Sequence, residues 1–323
     1  MPPSILQADR GFITRPDVLA SGFDDRDIRR AIRSGAWTKI GPGLYAVASL
    51  YGALSPEEKH AVRTRAVAHR LGPDVVVSHH SAAILHGIDV WGVDLRTVHV
   101  TRLDTGRGRH EARVTHHLGR GVSEADVVEI DGVRTVSAAR SVWEVACTVS
   151  AEAALVTADS GVHRGLITPD DMMSIAATFA HWQGSRRARL VFRLADGRAE
   201  SPGESRSRYL FWRHGLPAPE LQLVVVDAQG RFVGRTDFGW QHYRHLAEFD
   251  GRLKYSSASG ESAQGVVLRE KDREDALRAE RWGMSRLRWH HLDPEQAPLT
   301  AERIRHDLEQ SKRLYTHGRV HVI

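Results

Sequence analysis

The sequence predicts a multidomain chain of the α+β and α/β classes, in which helices and strands are mixed along the length. Three observations carry that expectation. Helical stretches with their own start and stop signals recur, as in SPEEKHAV and SPGESRSRYLFWRHG. Short β-branched runs such as DVVVS, RTVHVT and ELQLVVVD lie between them. The length, 323 residues, is more than one hydrophobic core usually organises.

Composition narrows the class. Apolar residues make up 41% and charged residues 26%, which is ordinary for a globular protein. The one cysteine, Cys147, excludes an internal disulfide and a cysteine-built zinc site. The start, MPPSILQADRGF, lacks a basic region followed by an apolar core, so no signal peptide is expected. No run of about 18 apolar residues is present, so no membrane span is expected either. Both point to the cytoplasm. The net charge is +5, and only five of the 45 basic residues are lysine. A weakly basic chain permits nucleic-acid binding without demanding it. Three sections are expected, residues 1–50, 51–196 and 197–323.

The first section reads as helices followed by a hairpin. Thr14 can cap a short helix with Pro16 and Asp17 in its first turn, and Gly22 turns the chain. Asp24 caps a second helix, DDRDIRRAIRSG, which Gly35 stops. Ile28, Ala31 and Ile32 share one face of it, and Arg26, Arg30 and Arg33 share another. WTKI and LYAV, joined by GPG, suit a two-stranded ribbon. This is the layout of a winged helix-turn-helix, whose second helix enters the major groove of DNA while the ribbon touches the backbone. Arg26, Arg29, Arg30, Arg33 and Lys39 are the candidate DNA-binding residues. A solvated charged face would give the same pattern. Asp24, Asp25 and Asp27 weigh against DNA, because acids at the leading end repel phosphates.

The segments GFITRPDVLASGF and RDIRRAIRSGAWTKIGPGLYAV resemble the N-terminal antitoxin domain of the AbiEi family. VVVSHHSAAILHGI, TVHVT and TVSAARSVWEVAC continue the likeness through the first half of the chain. The resemblance implies DNA binding, often autoregulatory, with a cognate toxin or another protein as the partner to look for.

The middle section mixes α and β. Ser55-Pro56-Glu57-Glu58 is a capping box, and SAARSVWEVAC and SAEAALVTADSGV read as helices. His79, His80 and His86 are assigned to capping and packing, because no acid or cysteine lies at ligand spacing. His116–His117 and His290–His291 are treated likewise. Neighbours on a strand point to opposite faces and do not chelate as a pair.

The third section reads in the order αβββαβ. Ser201 caps SPGESRSRYLFWRHG. ELQLVVVD, RFVGRTDFGW and YRHLAEFDG follow as strands, then the helix VVLREKDREDALRAERWG and the strand SRLRWHHL. This order would gather Asp237 from the second strand with Glu248 and Asp250 from the third. Glu204 lies in the first helix and Lys254 just past the third strand. Clustered carboxylates can hold Mg²⁺ or Mn²⁺ for phosphodiester hydrolysis, with a lysine to orient water or offset charge. AESPGES, GRTDFGW, LAEFDGRLKY and DREDALRAERWGMSRLRW resemble the PD-(D/E)XK nuclease superfamily, in its branch similar to very-short-patch-repair endonucleases.

That likeness implies a restriction-endonuclease-like fold, with Asp237 and Glu248 as main metal ligands and Glu204 as an added acid. It departs where the pattern puts lysine two residues after the acid. Asp250 stands there, so Lys254 or Lys271 would have to substitute. Each residue also has a plainer reading. Glu204 completes a capping box with Ser201, Asp250 starts a turn at Gly251, and Arg273 and Arg278 belong to a solvated helix face. Two functions follow: a DNA-binding protein with a Mg-dependent endonuclease-like domain, or a non-catalytic antitoxin-like autoregulator whose nuclease fold is degenerate.

Overall fold

The computed structural model describes residues 10–103, 109–111, 113–119, 122–251 and 272–316. Lys254 and Lys271 lie outside them. The chain divides into two compact units, Met1–Ala195 and Asp196–Ile323. Among the described residues it is a mixed α/β architecture with three sheets. No described helix is long and apolar enough to cross a membrane.

The first unit opens with β1 (Ile13–Thr14), α1 (Arg15–Ala20), α2 (Asp25–Arg33), β2 (Trp37–Gly41) and β3 (Leu44–Val47). The cap read at Thr14 is present and proves reciprocal, since its hydroxyl accepts from Asp17 N and its own N–H donates to the Asp17 carboxylate. Gly22, at φ 83°, makes the turn between the helices. The ribbon gains a third strand, in the order β1-β3-β2. Two residues are too few to show a period of two, so β1 left no pattern to read. β3 is buried on both faces. Tyr45 packs with Ile13, Val18, Ile28 and Trp37. Leu44 and Ala46 pack with Val62, Ala66 and Val67. The sections read from sequence as 1–50 and 51–196 therefore share one apolar cluster.

Beyond the wing come α3 (Ala48–Ala53) and α4 (Pro56–Leu71), then β4 (Val75–Val77), α5 (His79–Leu85) and β5 (Val98–Arg102). Two hairpins follow, β6 (Arg109–Glu111) with β7 (Val114–Leu118), and β8 (Val127–Ile130) with β9 (Val133–Val136). The sheet order is β6-β7-β5-β4-β9-β8. β5–β7 and β4–β9 run parallel, and β4–β5 antiparallel. Four helices close the unit: α6 (Ala138–Thr148), α7 (Ala151–His163), α8 (Pro169–Thr178) and α9 (Ser185–Leu194). α6 is buried on nearly every side, polar residues Arg140 and Glu144 included.

The second unit begins with α10 (Pro202–Arg213), β10 (Glu220–Val226), β11 (Phe232–Trp240) and β12 (His245–Phe249). Residues 272–279 are helical (α11) and lead into β13 (Gly283–Leu287). The αβββαβ order expected from the sequence is present. A further helix, α12 (Ala297–Tyr315), follows. The sheet order is β10-β11-β12-β13, with only β12–β13 parallel. Leu210 and Phe211 of α10 and Ile304 and Leu308 of α12 pack with Phe238, Trp240 and Ala247 from one face of the sheet. Leu277 of α11 packs with Val225 and Leu246 from the other. Gly203 sets the approach of α10 to β12, because a Cβ there would lie 2.0 Å from the Phe249 ring. That approach fixes where the next residue, Glu204, sits.

Candidate functional site

Three polar constellations can be built from the residues upward. The first is the exposed side of α2. Asp24 caps the helix, accepting from Arg26 N at 2.7 Å and Asp27 N at 3.0 Å. Those bonds hold its carboxyl below the usual range. Asp25 pairs with Arg15 of α1 through two bonds of 2.8 and 2.7 Å. Asp27 bonds Asp24 N and Arg30. The three acids that argued against phosphate contact are thus each engaged in building the helix and fixing it to α1. Arg26, Arg29, Arg30 and Arg33 are exposed, as is Lys39 on β2. Arg30 remains 75% exposed at the side chain even while paired with Asp27.

The second constellation is the acid group of the second unit. Asp237 accepts the Phe249 N–H at 2.8 Å, just beyond the last ladder pair, Phe238↔Ala247. It therefore serves the backbone of β12 where the β11 ladder stops. Burial first, and then the nearby Glu204 carboxylate, push Asp237 up to about 6. Glu204 is buried, and burial raises its pKa as well. It accepts from Glu200 N, the Ser201 hydroxyl and the Gln222 amide, at 3.0, 2.7 and 2.9 Å. Glu248 is paired with Arg273 of α11 at 2.6 Å, and Asp250 lies 3.5 Å from Arg288.

Asp237 and Glu204 come together, and Arg273 offsets charge at both Asp237 and Glu248. Hard cations take several oxygen donors at once. Among the described residues, these acids do not form a group of three ligands with donor atoms within 4.8 Å of one another. Fewer than three of these carboxylates therefore converge among the described residues, and Glu248 and Asp250 face arginines.

The third constellation is histidine. His79, His99 and His117 each bring a ligand nitrogen within 4.8 Å of the others. His79 opens α5, His99 is on β5 and His117 on β7. The His117 Nε2 and His99 Nδ1 atoms are 3.0 Å apart. Burial drives the His79 pKa well down and holds that of His99 near 2. Behind them His80 reaches the Thr97 carbonyl, and His60 lies between the Leu95 carbonyl and the Ser81 hydroxyl.

With this geometry in place, the comparisons with known proteins bear on the first constellation. Residues 3–48 match the family model described as "Transcriptional regulator, AbiEi antitoxin". The AbiEi match covers the capped helix pair and the whole β2–β3 wing. Two proteins of Mycobacterium tuberculosis, from strains CDC 1551 / Oshkosh and ATCC 25618 / H37Rv, are similar over both units. Each is 29% identical over 276 residues, covering 85% of this chain and 94% of its own length, and each is described as uncharacterized. The AbiEi match favours the regulator reading, given second from the sequence, over the nuclease reading.

Sequence reasoning missed the histidine group. It considered His79 and His117 only beside their chain neighbours His80 and His116, and it did not consider His99. The available signal was the strand period. His99 in TVHVT shares a sheet face with one member of any histidine pair on an adjacent strand.

Proposed function

We propose that the chain is a DNA-binding transcriptional regulator of the AbiEi antitoxin kind. In this reading α2 enters the major groove and the β2–β3 wing lies against the backbone. The observation that carries it is the exposed basic side of α2, whose leading acids are turned to capping and pairing. Arg26, Arg29 and Arg33 recur at three- and four-residue spacing, so they line one edge of the helix. Lys39 extends the positive surface onto the wing. A cognate toxin or another protein is the partner this family reading suggests.

The test is a gel shift of the full chain on the DNA upstream of its own gene, across a salt series. Each phosphate contact removed should lower the slope of log affinity against log salt by about 1. The Arg29→Ala, Arg33→Ala double variant should bind more weakly, with a flatter slope. Wild-type protein that shifts no DNA, or a double variant that binds as wild type, would sink the proposal.

Phosphodiester hydrolysis with Mg²⁺ or Mn²⁺ is the second reading. Asp237, forced up to about 6 beside Glu204, is the observation in its favour, since a cation could relieve that repulsion. The engagement of Glu248 by Arg273 stands against it. We expect no metal-dependent plasmid cleavage. Cleavage that disappears in Asp237→Ala would restore the nuclease reading.

A further inference from the structure

We propose that His79, His99 and His117 form a binding site for one divalent transition-metal ion, with zinc the metal these donors suit best. The three side chains come from separate elements and converge without sequence proximity. On the parallel pair β5–β7, His99 is opposite Thr115 and His117 is opposite Thr101. His99 and His117 are therefore diagonal neighbours on one face of the sheet. His79 approaches that face from the start of α5.

The setting of His79 is unusual in two ways. Its backbone lies at φ 54°, a region that residues other than glycine seldom occupy and that tends to persist where the surroundings enforce it. Its N–H donates to the fully buried Glu144 carboxylate at 3.0 Å. Its Nδ1 lies 3.1 Å from the Ser78 hydroxyl and 3.4 Å from Glu144 Oε2. That leaves Nε2 as the nitrogen turned away from these partners. Outer-shell carboxylates commonly support a metal-binding imidazole, and Glu144 stands beside this ring while it holds the His79 backbone. Here Arg140 Nε holds Glu144 at 3.0 Å.

The donor set selects the ion. Three imidazoles with no carboxylate among them suit zinc, copper, nickel or cobalt, and are poor ligands for Mg²⁺ or Ca²⁺. Three protein ligands leave a fourth tetrahedral position for water or a small anion. His99 and His117 are only half-buried, so that position can face solvent. His79 and His117 stack at 3.7 Å with planes 17° apart. Coordination requires one of these rings to turn about its Cβ–Cγ bond, a soft torsion for histidine.

The test uses the full chain without a polyhistidine tag, stripped with chelator and then dialysed against micromolar Zn²⁺. Elemental analysis should find one zinc per chain, undisturbed by millimolar Mg²⁺. Cobalt(II) should give the visible absorption of a low-coordinate nitrogen site. His99→Ala and His117→Ala should weaken uptake by more than the roughly 10–100-fold of an outer-shell change. His290→Ala, in the other unit, should leave uptake unchanged. Thermal melts in chelator check that the variants fold, and His117→Gln provides a milder second variant. Wild-type protein that takes up no zinc overturns the proposal. So does wild-type affinity in folded His99→Ala or His117→Gln.

Discussion

Asp237 is held by two opposing demands. Its carboxylate closes the backbone of β12 by accepting the Phe249 N–H, yet burial and Glu204 lift its pKa from 3.8 to about 6. A raised folded pKa gives a stabilising contribution that is complete below about pH 4 and lost as pH rises through 6. Asp237→Asn retains an oxygen acceptor and removes the charge. At pH 7.5 it should stabilise the protein by roughly 1–2 kcal/mol, since one pKa unit corresponds to about 1.4 kcal/mol and part of the shift is screened. At pH 4 the gain should vanish. Thermal melts at the two pH values check this, and a destabilised variant at pH 7.5 would contradict it.

At the scale of elements, α2 depends on its cap. Asp24→Ala removes the acceptor for Arg26 N and Asp27 N and should cost about 0.5–2 kcal/mol. The main-chain N–H of residue 24 stays available to the Asp27 carboxylate, so the loss falls on the first turn of the helix. Fraying of that turn should lower DNA affinity, whereas the loss of a repulsive acid alone would raise it. Melting and gel-shift measurements on one variant separate the two effects. α12 is a second case. Ile304 is fully buried against the sheet, so Ile304→Ala should cost about 2–5 kcal/mol as a cavity opens. Denaturant unfolding would report it, and a loss below 1 kcal/mol would mean the helix contributes little to that core.

Across the whole molecule, both units carry buried neutral histidines. His60 in the first is held down to about 3, and His245 in the second to about 4, from an ordinary 6.5. His245 sits between the Ser311 and Ser285 hydroxyls, at 2.8 and 2.9 Å. A lowered folded pKa gives stability that is present above about pH 6.5 and lost as pH falls towards those values. The chain should lose stability steadily from pH 6.5 to 4, with both units affected. Calorimetry over that range tests this. A flat profile would show that the rings are protonated in the fold or that Asp237, with its opposite sign, compensates.

Much of this architecture was legible in the chain. Capping residues Thr14, Asp24, Ser55 and Ser201 mark helix starts because their side chains satisfy N–H groups only a few residues away. The αβββαβ order of the second unit is also local, since each element announces its own period. β1 and the two hairpins of the six-stranded sheet were not read. Strands of two to five residues hold stability through partners distant in sequence and leave little periodic trace.

The sequence by itself determined the capped starts of α1, α2, α4 and α10, the element order of the second unit and the arginine edge of α2, because these depend on residues within a turn or two of one another; α8, α9 and α12 were not read. Only the tertiary structure decided how the charged groups are used. It turned Asp25 towards Arg15, paired Glu248 with Arg273, and set Asp237 beside Glu204. It also drew His79, His99 and His117 together from three elements. Such pairings depend on distances in space and on desolvation, which neither spacing nor composition encodes.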